Sequence, residues 1–99
     1  MKKILVCCNT GVTTGMLVSK MRQAAAERDM DFEVEAYPVA TAIDHLADAD
    51  VVLLAPQVGF AKADFENVTK APVAVIDSGD YARADAPMIL GVAKSLLLA

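Results

Sequence analysis

Side chains that often carry chemistry are scarce in this sequence, which has one histidine, two cysteines and no tryptophan. Basic residues are also few: nine Lys and Arg against 13 Asp and Glu leave a net charge of −4 over 99 residues. An acidic surface repels a phosphodiester backbone, so we exclude nucleic acid as a partner. No pair of residues has metal-ligand spacing, and we expect neither a metal site nor a cofactor.

Long apolar segments are also missing. The longest, Ala86–Ala93, has about eight residues, whereas a bilayer-spanning helix needs about 20. Only five apolar residues separate Lys3 from Asn9, too few for a signal peptide. We therefore expect one cytoplasmic domain over residues 1–99 that does not span a membrane, and we expect a monomer. Cys7 and Cys8 are adjacent, with Cα atoms too close for a normal disulfide, so both should be free thiols.

Four short runs are typical of strands. Three of them are almost wholly apolar, as in parallel strands that are covered on both faces. The second run alternates apolar and polar residues, which predicts an edge strand. The four runs are Lys3–Cys8, Phe32–Tyr37, Val51–Ala55 and Val73–Asp77.

Helical patterns lie between these runs. The first helical pattern is Thr13–Asp29. A capping box of Thr41 and Asp44 predicts a short second helix that carries Ile43 and Leu46. The third pattern is an inward stripe of Val58, Ala61, Phe65 and Val68, and the last is a helix opened by Asp85 with Ile89, Ala93, Leu96 and Leu97 inside. This alternating order predicts an α/β fold, a four-stranded parallel open sheet with helices on both faces. Such sheets bind ligands beyond the carboxyl ends of their strands.

The segment after the first strand has the chemistry of an anion site. Small and hydroxylated residues between a buried strand and a helix let backbone N–H groups converge on a phosphate. A cysteine beside a helix N-terminus is acidified, so Cys8 is the candidate nucleophile. The predicted phosphate-binding loop comprises Asn9, Thr10, Gly11, Val12, Thr13, Thr14 and Gly15.

Two other interpretations of this segment stay open. Cys8 could be a small buried residue that ends the strand before a plain turn. For Cys7, one residue inside the strand, we prefer the interpretation as a core residue. The loop could also be that of a low-molecular-weight tyrosine phosphatase, in which an arginine follows the cysteine by six positions. Here that position is Thr14. A cradle without the arginine holds a phosphoryl group but should hydrolyse it poorly, which favours a carrier.

At this point the sequence resembles a family, the lactose/cellobiose-type enzyme IIB components of the bacterial phosphoenolpyruvate-dependent sugar phosphotransferase system. The family loop is roughly C-x-x-G-M-S-T-S, followed later by V-V-L-L-G-P-Q and V-I-D. The matching positions are Cys8, Gly11, Thr14, the run 51–58, the run 75–78 and Tyr81, whereas Val12, Thr13 and Gly15 depart from it. The Gly-Val-x-Thr pattern is also similar to galactitol-type IIB loops.

The resemblance implies a phosphoryl carrier with a fold similar to that of the low-molecular-weight tyrosine phosphatases. A IIA protein would pass phosphate from a phosphohistidine to Cys8. The phosphocysteine would then supply a sugar, of the cellobiose, chitobiose or lactose type, held by the membrane component IIC. A phosphatase-like hydrolase and a non-catalytic regulatory domain remain the alternatives.

Three further positions bear on partner binding. Helical geometry turns Phe60 away from the apolar stripe of its helix, and an outward aromatic is either a docking residue or a lone exposed side chain. We predict that Val12, Phe60 and Tyr81 contact the partners.

Other polar residues receive plainer interpretations. His45 is interpreted as a solvated or half-packed helix residue rather than as a base. Asp77 and Asp80 are interpreted as turn residues rather than as a general acid.

Overall fold

A computed structural model describes residues 2–9 and 11–98 of the chain, with the side chains of residues 11–14 left undescribed. One parallel sheet runs through the molecule, with strand order β2-β1-β3-β4. Its strands are β1 Lys2–Cys8, β2 Phe32–Pro38, β3 Val51–Leu54 and β4 Val73–Val75. The predicted four-stranded parallel sheet is confirmed, and so is the edge position of the alternating strand.

Helices follow each strand. They are α1 Gly11–Glu27, α2 Val39–Ala42 with a 3-10 helix Ile43–Asp48, a 3-10 helix Pro56–Ala61 that leads into α3 Lys62–Glu66, α4 Ser78–Ala82 and α5 Ala86–Leu98. Within the described ranges, no helix combines the length and apolarity needed to cross a bilayer.

Two hydrophobic clusters cover the two faces of the sheet, and the side chains of β1 alternate between them from Ile4 to Cys7, whereas Cys8 packs in the same cluster as Cys7. Ile4 and Val6 pack in the first cluster, against α1 and α5. Leu5 and Cys7 pack in the second cluster, which includes Phe65 of α3. Burial on both faces explains why this strand is an uninterrupted apolar run in the sequence.

The start of β1 is fixed by a reciprocal contact with the residue before β3. The backbone N–H of Lys3 donates to the carboxylate of Asp50 at 2.7 Å. The N–H of Asp50 in turn donates to the carbonyl of Lys3 at 2.9 Å. These two bonds set the register of β1 against β3.

Two details of the helix predictions are wrong. Val68 is 58% exposed rather than inward, because α3 ends at Glu66 and the residue lies beyond its last turn. Thr41 does not begin a helix, since it is the third residue of α2. Its hydroxyl donates to the carbonyl of Pro38, which precedes that helix.

The connection between α4 and α5 uses an unusual backbone conformation. Ala84 has a φ of 50°, in the left-handed region that favours glycine. The next residue begins α5 as expected, since the Asp85 carboxylate accepts a hydrogen bond from the N–H of Met88 at 3.3 Å.

Candidate functional site

Cys8 is the last residue of β1, at the point where the connections of the sheet reverse direction. From β1 the chain forms β2 on one side, and then returns to form β3 on the other side of β1. A parallel sheet has its ligand crevice at such a switch point. The N–H of Ala55, directly after β3, donates to the carbonyl of Cys7 at 2.8 Å and so extends the sheet beside this end.

The helix after Cys8 begins earlier than the sequence predicts. Because α1 starts at Gly11 rather than at Thr13, the chain from Gly11 to Gly15 is helical and not a loop. The backbone N–H groups of its first turn have no partners within the helix, and its dipole adds partial positive charge. A 17-residue helix therefore directs donors toward the end of β1.

The predicted phosphate-binding residues divide between described and undescribed parts. Asn9 is exposed beside Cys8. Gly15 lies in α1, and open space surrounds the position that a Cβ would take, so packing does not require glycine there. Thr10 and the side chains of Val12, Thr13 and Thr14 lie outside the described residues, and their phosphate contacts stay predictions.

A cleft of about 270 Å³ lies between α1 and the end of β2, and Cys8 forms part of its wall. The thiol is 1% exposed, and its Sγ lies 4.0 Å from the carbonyl oxygen of Tyr37. The helix side of the cleft carries Gly15, Val18 and Arg22, and the strand side carries Ala36, Tyr37 and Pro38. The sulfur is thus covered, with a cleft leading to it.

Cys7 differs from Cys8 in its access to the cleft, although both residues pack in the second cluster. Cys7 is fully buried and does not line the cleft. Burial, with a smaller contribution from the nearby Cys8, raises the pKa of the Cys7 thiol to about 12. A thiol with this pKa is protonated at neutral pH, which confirms the interpretation of Cys7 as a core residue.

A stacked pair of rings supports the β2 side of the cleft. The rings of Tyr37 and His45 are nearly parallel, with their centroids 3.8 Å apart. The Tyr37 hydroxyl donates to a carboxylate oxygen of Glu35 at 2.9 Å, and Lys3 lies 3.6 Å from the other oxygen. The hydrogen bond from Tyr37, together with the charge of Lys3, lowers the pKa of the Glu35 carboxyl.

The role of Tyr37 was not anticipated from the sequence. The alternation of β2 does place Glu35 and Tyr37 on one face, so their contact was available as a signal. His45 is half-buried, as expected, but its stacking partner comes from a different element.

The three residues predicted to bind partners differ in exposure. Phe60 is 78% exposed, which confirms that it turns away from the core. Its neighbour Gly59 lies against Val75, an exposed valine at the end of β4. Tyr81 is half-buried and packs against both clusters, whereas the side chain of Val12 is outside the described part of the chain. Partner contact by all three stays a prediction.

The two aspartates after β4 have structural contacts. The Asp77 carboxylate accepts the N–H of Asp80 at 3.1 Å and caps α4. Asp80 forms an ion pair of 2.8 Å with Arg83. Both aspartates thus have local structural contacts, in a segment that forms a short helix rather than a plain turn, and the preference for a structural role over a general acid stays a prediction. Across residues 2–9 and 11–98, no cluster of three or more acidic, His or Cys side chains could hold a metal ion.

Comparison with known proteins gives a consistent result. Residues 3–92 match the family model described as the lactose/cellobiose-specific IIB subunit of the PTS system. The chain is 36% identical to a galactose-specific EIIB component from Lactococcus lactis, over 97% of its own length and 96% of the relative. It is 34% identical to an oligo-beta-mannoside-specific EIIB component from Bacillus subtilis, over 99% and 98%.

Solved structures extend the comparison to the fold. A cellobiose-specific phosphotransferase IIB component from Borrelia burgdorferi superposes with a TM-score of 0.79 at 30% identity, covering 97% of this chain and 91% of that one. A lactose-specific IIB domain from Streptococcus pneumoniae gives a TM-score of 0.76 at 19% identity, covering 91% and 95%, and supports the fold alone.

Proposed function

The chain belongs to the lactose/cellobiose-specific IIB subunit family of the phosphotransferase system, and from that membership we propose that it carries a phosphoryl group on Cys8. The observation that carries the proposal is the position of this thiol. It ends the central strand at the switch point, lies shortly before α1 in the chain and lines a cleft together with Gly15 of that helix.

The proposed step exchanges one bond to phosphorus for another. The sulfur of Cys8 attacks the phosphorus of a phosphohistidine on a IIA protein, the N–P bond breaks as the S–P bond forms, and the thiol proton ends on the released imidazole. The N–H donors and the dipole of α1 stabilise both the thiolate and the bound phosphoryl group. Cys7 takes no part, because its thiol stays protonated in the core.

A carrier must hold its phosphoryl group rather than lose it to water. The phosphatases with a related fold grip the phosphoryl group with an arginine six positions after the cysteine, and the corresponding residue here is Thr14. Losing such a charged donor removes several kcal/mol of transition-state stabilisation, on the order of 3–4. We therefore expect slow hydrolysis and a phosphocysteine that persists until an acceptor binds.

The proposed function implies two partners that dock at this end of the molecule. The donor is a IIA phosphohistidine protein, and the acceptor is a sugar held by a membrane IIC component. The galactose, cellobiose and oligo-beta-mannoside relatives suggest a sugar or short β-linked saccharide as the final acceptor. Phe60, which follows β3 at the same end and is largely exposed, is the described residue best placed for docking.

Phosphorylation by a reconstituted relay tests this function. The wild type should gain one phosphoryl group, located on Cys8 by mass spectrometry. Cys8→Ser should gain none, because a neutral hydroxyl is a far weaker nucleophile than a thiolate. Cys7→Ser is the matched control and should still be phosphorylated. Phosphate on another residue, or an active Cys8→Ser, would contradict the proposal, and steady turnover of an aryl phosphate would favour a phosphatase.

A further inference from the structure

One charged side chain in the Cys8 cleft has no role in the function described so far. Arg22 lies on the same face of α1 as Gly15 and Val18, which are seven and four residues before it. Among the described residues that line the cleft, Arg22 carries the only formal charge.

The stem of this arginine is held in place. Its Nε donates to the carbonyl oxygen of Val34 at 2.9 Å, on the free edge of β2. A guanidinium has five N–H donors, so this bond leaves the four on its terminal nitrogens available. In the described part of the chain Arg22 forms no ion pair, and its charge is not neutralised by a carboxylate.

Neighbouring charges do not cancel that of Arg22. Two acidic residues flank Val34 in β2, and alternation turns both to the face opposite Val34. Glu35 contacts Lys3 and Tyr37, and Glu33 forms no ion pair with Arg22 among the described residues. The other arginine of this helical segment, Arg28, lines a separate cleft beside α5. The positive potential in the Cys8 cleft therefore comes from Arg22 and from the start of α1.

We propose that Arg22 recruits the anionic phosphoryl group into the Cys8 cleft, as an electrostatic residue that acts at a distance from the sulfur. This role rests on the proposed carrier function, in which the group that enters bears close to two negative charges. The residue assists entry and retention of the anion. It does not replace the missing loop arginine, because its Nε is committed to β2.

The size of the cleft makes this effect measurable. A sphere of about 270 Å³ is about 8 Å across, similar to the Debye length of about 8 Å at physiological ionic strength. A unit charge acting over that distance in a partly wet site changes the local concentration of a monovalent anion about two- to fourfold. A dianion responds more strongly.

Charge-selective alkylation of Cys8 tests the inference without any relay partner. Iodoacetate is an anion and iodoacetamide is neutral, while both react with the same sulfur. We expect Arg22→Gln to lower the ratio of the iodoacetate rate to the iodoacetamide rate about two- to fourfold. Arg22→Lys, which keeps the charge, should retain most of the ratio, and Arg28→Gln should leave it unchanged.

The salt dependence of the alkylation ratio and the rate of phosphoryl transfer provide two further measurements. The wild-type ratio should fall as salt is added, whereas that of Arg22→Gln should be nearly flat. The second-order rate of phosphoryl transfer from the donor should fall severalfold in Arg22→Gln, with the melting temperature preserved. An unchanged alkylation ratio in Arg22→Gln, or an equal fall in Arg28→Gln, would overturn the inference. If Arg22→Gln lowers the alkylation ratio but no relay phosphorylates the wild type, the proposed function is refuted while the electrostatic role of Arg22 in the cleft stands.

Discussion

The Cys7 thiol should resist alkylation in the folded protein even when it is the only thiol present. The perturbation is Cys8→Ala, which removes the neighbouring sulfur and leaves Cys7 in its core position. Burial is the main cause of its raised pKa, and this cause remains when the smaller contribution of Cys8 is removed. Alkylation requires the thiolate, so the rate reports directly on the core environment.

The expected magnitude follows from two opposing effects. At pH 8 a thiol of pKa about 12 is ionised in about one molecule in 10⁴, against about a quarter of molecules for an ordinary cysteine. A more basic thiolate is also a better nucleophile, and a Brønsted slope of about 0.4–0.5 recovers a factor of about 25 to 55. The net expectation is a rate about 40- to 100-fold below that of free cysteine, before any steric protection.

Iodoacetamide labelling followed by intact-mass spectrometry measures this rate. The same variant in denaturant is the control and should react like free cysteine. Cys7→Ala gives the complementary measurement on Cys8, whose sulfur is reached through the cleft. Native labelling of Cys7 within tenfold of the rate in denaturant would refute the assignment of this thiol to the protonated core.

Three other outcomes are expected. Phe60→Asp should slow phosphoryl transfer from the donor. Val68→Asp, at an exposed site beyond α3, is the control and should leave the rate unchanged. Equal rates for wild type and Phe60→Asp would show that the partner docks elsewhere. Ala84→Gly should raise the free energy of unfolding in urea by about 0.5–1 kcal/mol, because glycine adopts a φ of 50° without strain. Because folding raises the pKa of Cys7 from 9.0 to about 12, its contribution to stability is complete below pH 9 and is lost toward pH 12, by up to about 1.4 kcal/mol per pH unit. Cys7→Ala should make the urea curves less sensitive to pH in that window, and an identical pH dependence would contradict the assignment.

The sheet could be predicted from the sequence because burial on two faces leaves a plain signature. The run that became β3 is apolar throughout, β1 is apolar from Ile4 onward, and the alternation in Phe32–Pro38 marked the edge. Helix ends were harder to predict, since they depend on where tertiary contacts stop. Val68 continues the apolar spacing of its helix, yet it is exposed because α3 ends two residues earlier.

The candidate site was predictable in its nucleophile but not in its walls. Cys8 could be chosen because a cysteine at a strand end before a helix start is a local pattern. Arg22 and Tyr37 are 14 and 29 residues away in sequence, and only the packing of α1 against β2 brings them into the cleft that Cys8 lines. A contact of that kind leaves no periodicity or spacing that a single sequence can display.

The reciprocal contact between Lys3 and Asp50 has a consequence at the other end of β1. The register of β1 gives the two adjacent thiols different positions in the sheet. Cys8 lies opposite Pro38 of β2, and Cys7 lies opposite Leu54 of β3. A shift of β1 by one residue would place Cys7 at the cleft and move Cys8 beyond the end of the strand. The Asp50 carboxylate, which holds the start of β1 about 17 Å from Cys8, therefore helps to determine which of the two sulfurs lines the cleft.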